Sequence, residues 1–167
     1  MKPSMEQAIA AAIAYDAGDP RRIHHLLKVH AFARQIGLEE GLDPDTQFTL
    51  ETAAVVHDIG IHRAEALYGR CTGKDQEALG PDVADQLLTD LGWPRPVIDR
   101  VRYLVGHHHT YTHVESLDYR ILLEADFLVN LYEDGAEPEA QRHAYQQIFQ
   151  TESGRRLCRA LYPAVCP

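Results

Sequence analysis

Residues 53–58 read Ala-Ala-Val-Val-His-Asp, an apolar run that ends in an imidazole beside a carboxylate. Two such groups carried out of a core by one helix are costly to desolvate without a partner, and a divalent metal is the usual partner for that pair. Further ligand types stand at compatible positions. Asp126 lies in Ile-Leu-Leu-Glu-Ala-Asp-Phe-Leu-Val, where Leu122, Leu123 and Val129 are its helical neighbours, so its carboxylate falls on or beside an apolar face. His25 shares a helical stripe with Val29 and Phe32. Taken singly, each has an ordinary structural explanation, a hydrogen-bonded core histidine or a salt-bridged aspartate. Taken together, His25, His57, Asp58 and Asp126 set two imidazoles and two carboxylates at inward-facing positions on three helices, a combination that suits Fe, Mn, Zn, Ni or Co.

The elements that must position these residues read as helices throughout, with no alternating strand pattern, so the expected fold is an all-α, single-domain helical bundle. A first helix runs from about Ser4 to Ala17. Asp19-Pro20 supplies a cap and a first-turn proline for a second helix that bears His24, His25 and His30 and stops at Gly37. Asp43-Pro44 repeats that signal for a third helix, which delivers His57-Asp58 and breaks at Gly60. Tyr68 to Asp75 reads as a glycine-containing loop, and Gly80-Pro81 as the start of a fourth helix. Beyond the Trp93-Pro94-Arg95-Pro96 turn a fifth helix runs into His107, His108 and His109. A sixth, from about Leu117 to Leu131, holds Asp126, and Pro138 opens a C-terminal helical region to Pro167.

Composition narrows the function classes. The chain has 167 residues, 45% apolar and 25% charged, which is ordinary for one globular unit with its own core. The formal net charge of −9 argues against a nucleic-acid polymer as partner, since such binding needs clustered cations. No apolar run approaches the ~20 residues of a membrane helix, and the first residues, with Glu6, Gln7 and Asp16, are too polar for a signal-peptide core. Cys71, Cys158 and Cys166 are an odd and scattered set without CxxC spacing, which fits free thiols in a reducing cytoplasm.

The segment from His25 through Val29 to Ala33, the Val55-Val56-His57-Asp58-Ile59-Gly60 run and the Leu123-Glu-Ala-Asp126 helix resemble, in order and spacing, the H...HD...D signature of the HD-domain metal-dependent phosphohydrolase superfamily. The resemblance spans about residues 20–135, with the helix at 4–17 and the extension at 138–167 outside it. It implies an all-helical core in which His25, His57, Asp58 and Asp126 bind one divalent transition metal. His107-His108 resembles the histidine pair of two-metal members, which leaves a second metal near His107 and His108 open. The histidine that such members carry before that pair is missing near Leu79-Gly80, where Glu77 is the nearest substitute. Relatives with a glutamate three residues beyond the HD aspartate use it on water, but this chain has Ile61 there. His62, Glu65 or Glu77 are the alternatives.

The expected activity is hydrolysis of a small phosphorylated metabolite or nucleotide by water that the metal activates, with Asp58, Glu77 and His107 as catalytic candidates. Among the cations near the site in sequence, Arg21, Arg22, Lys28, Arg63, Arg70 and Lys74, those singled out for the substrate are Lys74, Arg63 and Arg70, joined by His108. A di-iron oxygenase and a non-catalytic metal-containing sensor are the alternatives. The oligomeric state is open, with a homodimer compatible.

Overall fold

A computed structural model describes residues 2–167; Met1, counted above in the single domain, lies outside them. Among the described residues there are nine α-helices and no strand, as the all-α expectation required. The order is α1 (Met5–Tyr15), α2 (Pro20–Glu39), α3 (Pro44–Val56), α4 (Ile61–Tyr68), α5 (Gly73–Asp90), α6 (Arg95–Val105), α7 (Leu117–Glu133), α8 (Pro138–Gln147) and α9 (Glu152–Leu161). The starts follow local chemistry. Ser4 and Gln7 form a capping box, and Asp19 and Asp43 accept the first backbone N–H groups of α2 and α3 ahead of Pro20 and Pro44.

At the centre, α2, α3 and α7 pack on one another, α5 and α6 form a pair that meets α3 through α6, and α4 lies on α5. Almost every residue from Ile121 to Val129 of α7 is buried, as is every residue from Thr49 to Val56 of α3. Leu26, Val29, Ala33 and Ile36 turn the apolar stripe of α2 onto it. Into this core the metal-ligand candidates project: His25, His57 and Asp126 are 1%, 0% and 5% exposed.

Three boundaries differ from the sequence-based expectation. The second helix does not stop at Gly37. A Cβ there would sit 2.2 Å from Gln47 Oε1, so this glycine serves the close approach of α2 to α3, and the chain reverses at Gly41, whose φ is +76°. The fourth helix of the expectation starts seven residues early, at Gly73 rather than Gly80. Thr72 and Asp75 make a capping box that launches α5 at Gly73, and Pro81 lies within the helix, in contact range of Gly106. Between them the short α4 begins directly after the His57–Gly60 turn, so most of the expected loop is shortened to residues 69–72. The fifth helix ends at Val105, leaving the three histidines on the following turn.

Gly60 and Gly80 explain how that first turn is held against α5. A Cβ on Gly60 would lie 2.8 Å from the Gly80 backbone, and one on Gly80 would lie 2.8 Å from Val105 Cγ1. The two bare backbones bring Asp58 within reach of the histidines that follow α6.

Candidate metal centre

His57 is the C-terminal cap residue of α3, where the helix ladder ends and a ring can fold back on its own last turn. Its Nδ1–H donates to Ala54 O at 2.7 Å, which leaves the Nε2 lone pair aimed inward. His25 is fixed in the same way from α2: Nδ1–H donates to Glu133 Oε1 at 2.6 Å. The two Nε2 atoms then face each other at 3.1 Å. Two lone pairs at that separation repel unless a cation or a proton lies between them.

Both carboxylates approach these two nitrogens. Asp58 Oδ2 is 3.1 Å from His25 Nε2 and 3.4 Å from His57 Nε2, and Asp126 Oδ1 is 3.2 Å and 3.4 Å from the same two atoms. With metal–ligand bonds of ~2.0–2.1 Å, neighbouring ligand atoms in tetrahedral or octahedral sites are separated by about 3.0–3.4 Å. The observed edges fall in that range, so this group of imidazoles and carboxylates could hold a divalent ion. The ligand atoms of His25, His57 and Asp58 all lie within 4.8 Å of one another, a group that does not include Asp126, which meets the two imidazoles from the other side.

The electrostatics agree with a site built for positive charge. Burial works against protonation of His25, yet the Asp126 and Asp58 carboxylates lift its pKa to about 10. Burial would likewise raise both aspartates, but His57 and His25 hold each of them below the usual carboxylate range. A cation held by these side chains would take the place of the His25 proton.

A second group lies across Asp58. His108, 1% exposed, gives Nδ1–H to Val105 O at 2.7 Å and sets Nε2 3.4 Å from Asp58 Oδ1. Gln76 Oε1 lies 3.0 Å from that Nε2 and 2.9 Å from His109 Nε2. Burial and the neighbouring His108 push His109 down to about 4, so it is neutral at physiological pH. The ligand atoms of Asp58, His108 and His109 also fall within 4.8 Å of one another.

The remaining candidates are placed as follows. His107 is not brought to the cluster. Its Nδ1–H donates to Tyr103 O at 2.7 Å and its ring stacks on Tyr103 at 4.0 Å, because successive residues of the turn point to different sides. Glu77 supports the turn, accepting from His109 N at 3.2 Å and Thr110 Oγ1 at 2.8 Å. Lys74 is exposed on α5, Arg70 pairs with Asp75 at 3.6 Å and lies over Tyr68, and Arg63 lines a surface groove with Tyr15, His62 and Asp82. None of these three has a contact with the ligand set among the described residues. His62 reaches Asp16 and Asp19 at 3.4 and 3.2 Å, and Glu65 is 3.7 Å from its other nitrogen. A mostly apolar groove of about 730 Å³, lined by Phe48, Pro94, Pro96 and Val97 among others, carries none of the ligand candidates.

Four supporting residues escaped the sequence analysis or were not singled out by it: Gln76, Asn130, Glu133 and Arg22. Asn130 Nδ2 donates to Asp126 Oδ1 at 3.0 Å, and Arg22 Nη1 to Asp58 Oδ2 at 3.4 Å. Helical spacing was the available signal, since Asn130 and Glu133 lie four and seven residues beyond Asp126, and Arg22 three before His25.

Comparison with known proteins bears on this arrangement. Among solved structures, the chain resembles one described as a predicted HD superfamily hydrolase from an uncultured Thermotogales bacterium, with 27% identity and a TM-score of 0.68, over 96% of this chain and 86% of that one. No curated protein sequence matches. A model of the HD domain matches residues 22–150, the stretch that contains all four ligand candidates. The chain therefore belongs to the HD domain family.

Proposed function

We propose that this protein is a metal-dependent hydrolase of phosphate esters, acting on a small phosphorylated metabolite or a nucleotide. The observation that carries this reading is the approach of Asp58 Oδ2 and Asp126 Oδ1 to the facing Nε2 atoms of His25 and His57, with both imidazole Nδ1 hydrogens already committed elsewhere. The description of the similar Thermotogales protein as a predicted hydrolase supports the same class. A divalent cation bound there would polarise a phosphoryl oxygen and make a water acidic enough to attack near neutral pH. The protein's own share is orientation and charge. Glu133 and Ala54 O fix the tautomers of His25 and His57, Asn130 holds the Asp126 carboxylate, and the two aspartates balance the ion's charge. His108 and His109, joined through Gln76, wall the opposite side of Asp58.

Protein purified without chelator or histidine tag, then reconstituted separately with Mn, Co, Ni, Zn or Fe, is screened against phosphomonoesters, phosphodiesters and nucleotides. Metal-dependent turnover of at least one class is expected, and inactivity toward all of them with every metal would refute the reading. The second ligand group, Asp58 with His108 and His109, is what favours the alternative of a di-iron oxygenase. Two iron atoms per chain and an oxygen-sensitive absorption band would decide for it.

A further inference from the structure

We infer that Arg22 is the group that receives the non-bridging oxygens of the substrate's phosphoryl group, a conclusion that rests on the phosphate-ester reading and assigns its anion-binding residue. Arg22 is the third residue of α2, after the Asp19 cap that accepts its backbone N–H at 3.1 Å. Three residues separate it from His25, slightly less than one helical turn, so both side chains leave the same face of α2 toward Asp58. The guanidinium arrives beside the ligand set with its side chain only 20% exposed. There it makes one long hydrogen bond, Nη1 to Asp58 Oδ2 at 3.4 Å, and no other side-chain hydrogen bond among the described residues.

A guanidinium has five N–H donors in a rigid fork, and a largely enclosed one normally finds acceptors for most of them. Others in this molecule do. Arg100, 30% exposed, spreads its donors over Asp118, Glu115 and Ser116, and Arg102, 34% exposed, over Asp82 and Asp85. Arg22 keeps the greater part of its fork without a protein acceptor, one hydrogen bond from a carboxylate that belongs to the ligand set. The fork matches two oxygens of one phosphoryl group, and its charge would offset the charge developing there. The competing cations lack this combination. Lys28 is bound by Glu133 at 2.6 Å, Arg21 meets Asp134 on the surface, and Arg63, Arg70 and Lys74 have no contact with the ligand set.

The test uses metal-reconstituted wild type, Arg22→Lys and Arg22→Met, each titrated with inorganic phosphate by calorimetry and assayed on a phosphomonoester. Charged hydrogen bonds of this kind correspond to roughly tenfold to a hundredfold in affinity. Arg22→Met is expected to weaken phosphate binding and raise KM by that factor, while affinity for the metal itself stays within about twofold. Arg22→Lys, a point charge without the fork, should recover only part of the loss. Unchanged phosphate affinity and KM in both variants would overturn the assignment. So would metal affinity falling in step with phosphate affinity, since Arg22 would then only balance Asp58. If Arg22→Met does not fold by circular dichroism, Arg22→Lys decides on the same two readouts. Failure of wild type to bind phosphate defeats the assignment; phosphate binding lost in Arg22→Met alongside inactivity on every ester would uphold it and defeat the hydrolase reading instead.

Discussion

Glu133 Oε1 lies 2.6 Å from His25 Nδ1, and the other oxygen of the same carboxylate lies 2.6 Å from Lys28 Nζ. The last turn of α7 thus fixes the ring that α2 contributes to the metal centre, and Lys28 holds the carboxylate that does so. Outer carboxylates of this kind set the tautomer and raise the basicity of a ligating imidazole, typically worth 10–100-fold in metal affinity. Glu133→Ala should therefore weaken metal binding by roughly that factor, read by competition with a chromophoric chelator. Wild-type affinity in that variant would mean that His25 needs no external orientation.

Asp126 supplies the ligand most distant in sequence from the others, so its removal tests whether the four residues act together. Ligand that binds only the folded state stabilises it by about 2.7 kcal/mol at a hundredfold excess over Kd, which for a chain of this size is a shift of roughly 5–10 °C. Metal should raise the Tm of wild type by that order, chelator should reverse it, and Asp126→Asn should show little response. A full metal-induced shift in Asp126→Asn would remove Asp126 from the ligand set.

The four ligand candidates were legible because a titratable residue on an apolar stripe is conspicuous: His25 sits beside Leu26 and Val29, and Asp126 among Leu122, Leu123 and Val129. The cap signals at Asp19-Pro20 and Asp43-Pro44 were equally local, and both helices start there. What was not legible depends on tertiary approach. Gly37 has the composition of a helix stop but serves the packing of Gln47, and Pro81 reads as a helix start although Thr72 had already begun α5. The direction of the three consecutive histidines was undetermined for the same reason. On a turn, which ring faces inward is set by the neighbouring walls, here Tyr103 for His107 and Gln76 for His108.

Gly60 offers a test of the close approach that places the His57–Asp58 turn. A methyl group there would meet the Gly80 backbone at 2.8 Å, and neither backbone can yield without moving α4 or α5. Overpacking of this kind typically costs 1–3 kcal/mol. Gly60→Ala should lower stability by about that amount in denaturant titration and weaken metal binding as well, since Asp58 is displaced. Wild-type stability would show that the turn and α5 separate easily.

Glu124, fully buried on α7, gives a prediction about pH that is independent of the metal centre. Burial raises its pKa from 4.5 to about 7, although the Thr151 hydroxyl and the N–H groups of Thr151 and Gln150 oppose the rise. Gly154 lies so close that a Cβ would meet Glu124 Oε1 at 1.9 Å, and the nearby Arg120 charge opposes the rise without cancelling it. A carboxyl group that holds its proton more tightly when folded contributes its stability fully below the unfolded pKa. That contribution declines as pH rises from about 4.5 and is lost once pH passes about 7, a change on the order of 3 kcal/mol. Glutamine at this position mimics the protonated acid, with an amide donor for Thr151 Oγ1 and a carbonyl acceptor for the two backbone N–H groups. Subtracting the stability of wild type from that of Glu124→Gln, by chemical denaturation at a series of pH values, should give a difference that grows with pH across that window in favour of glutamine. A difference that stays flat from pH 4.5 to 7 would show that Glu124 titrates normally and that water reaches it.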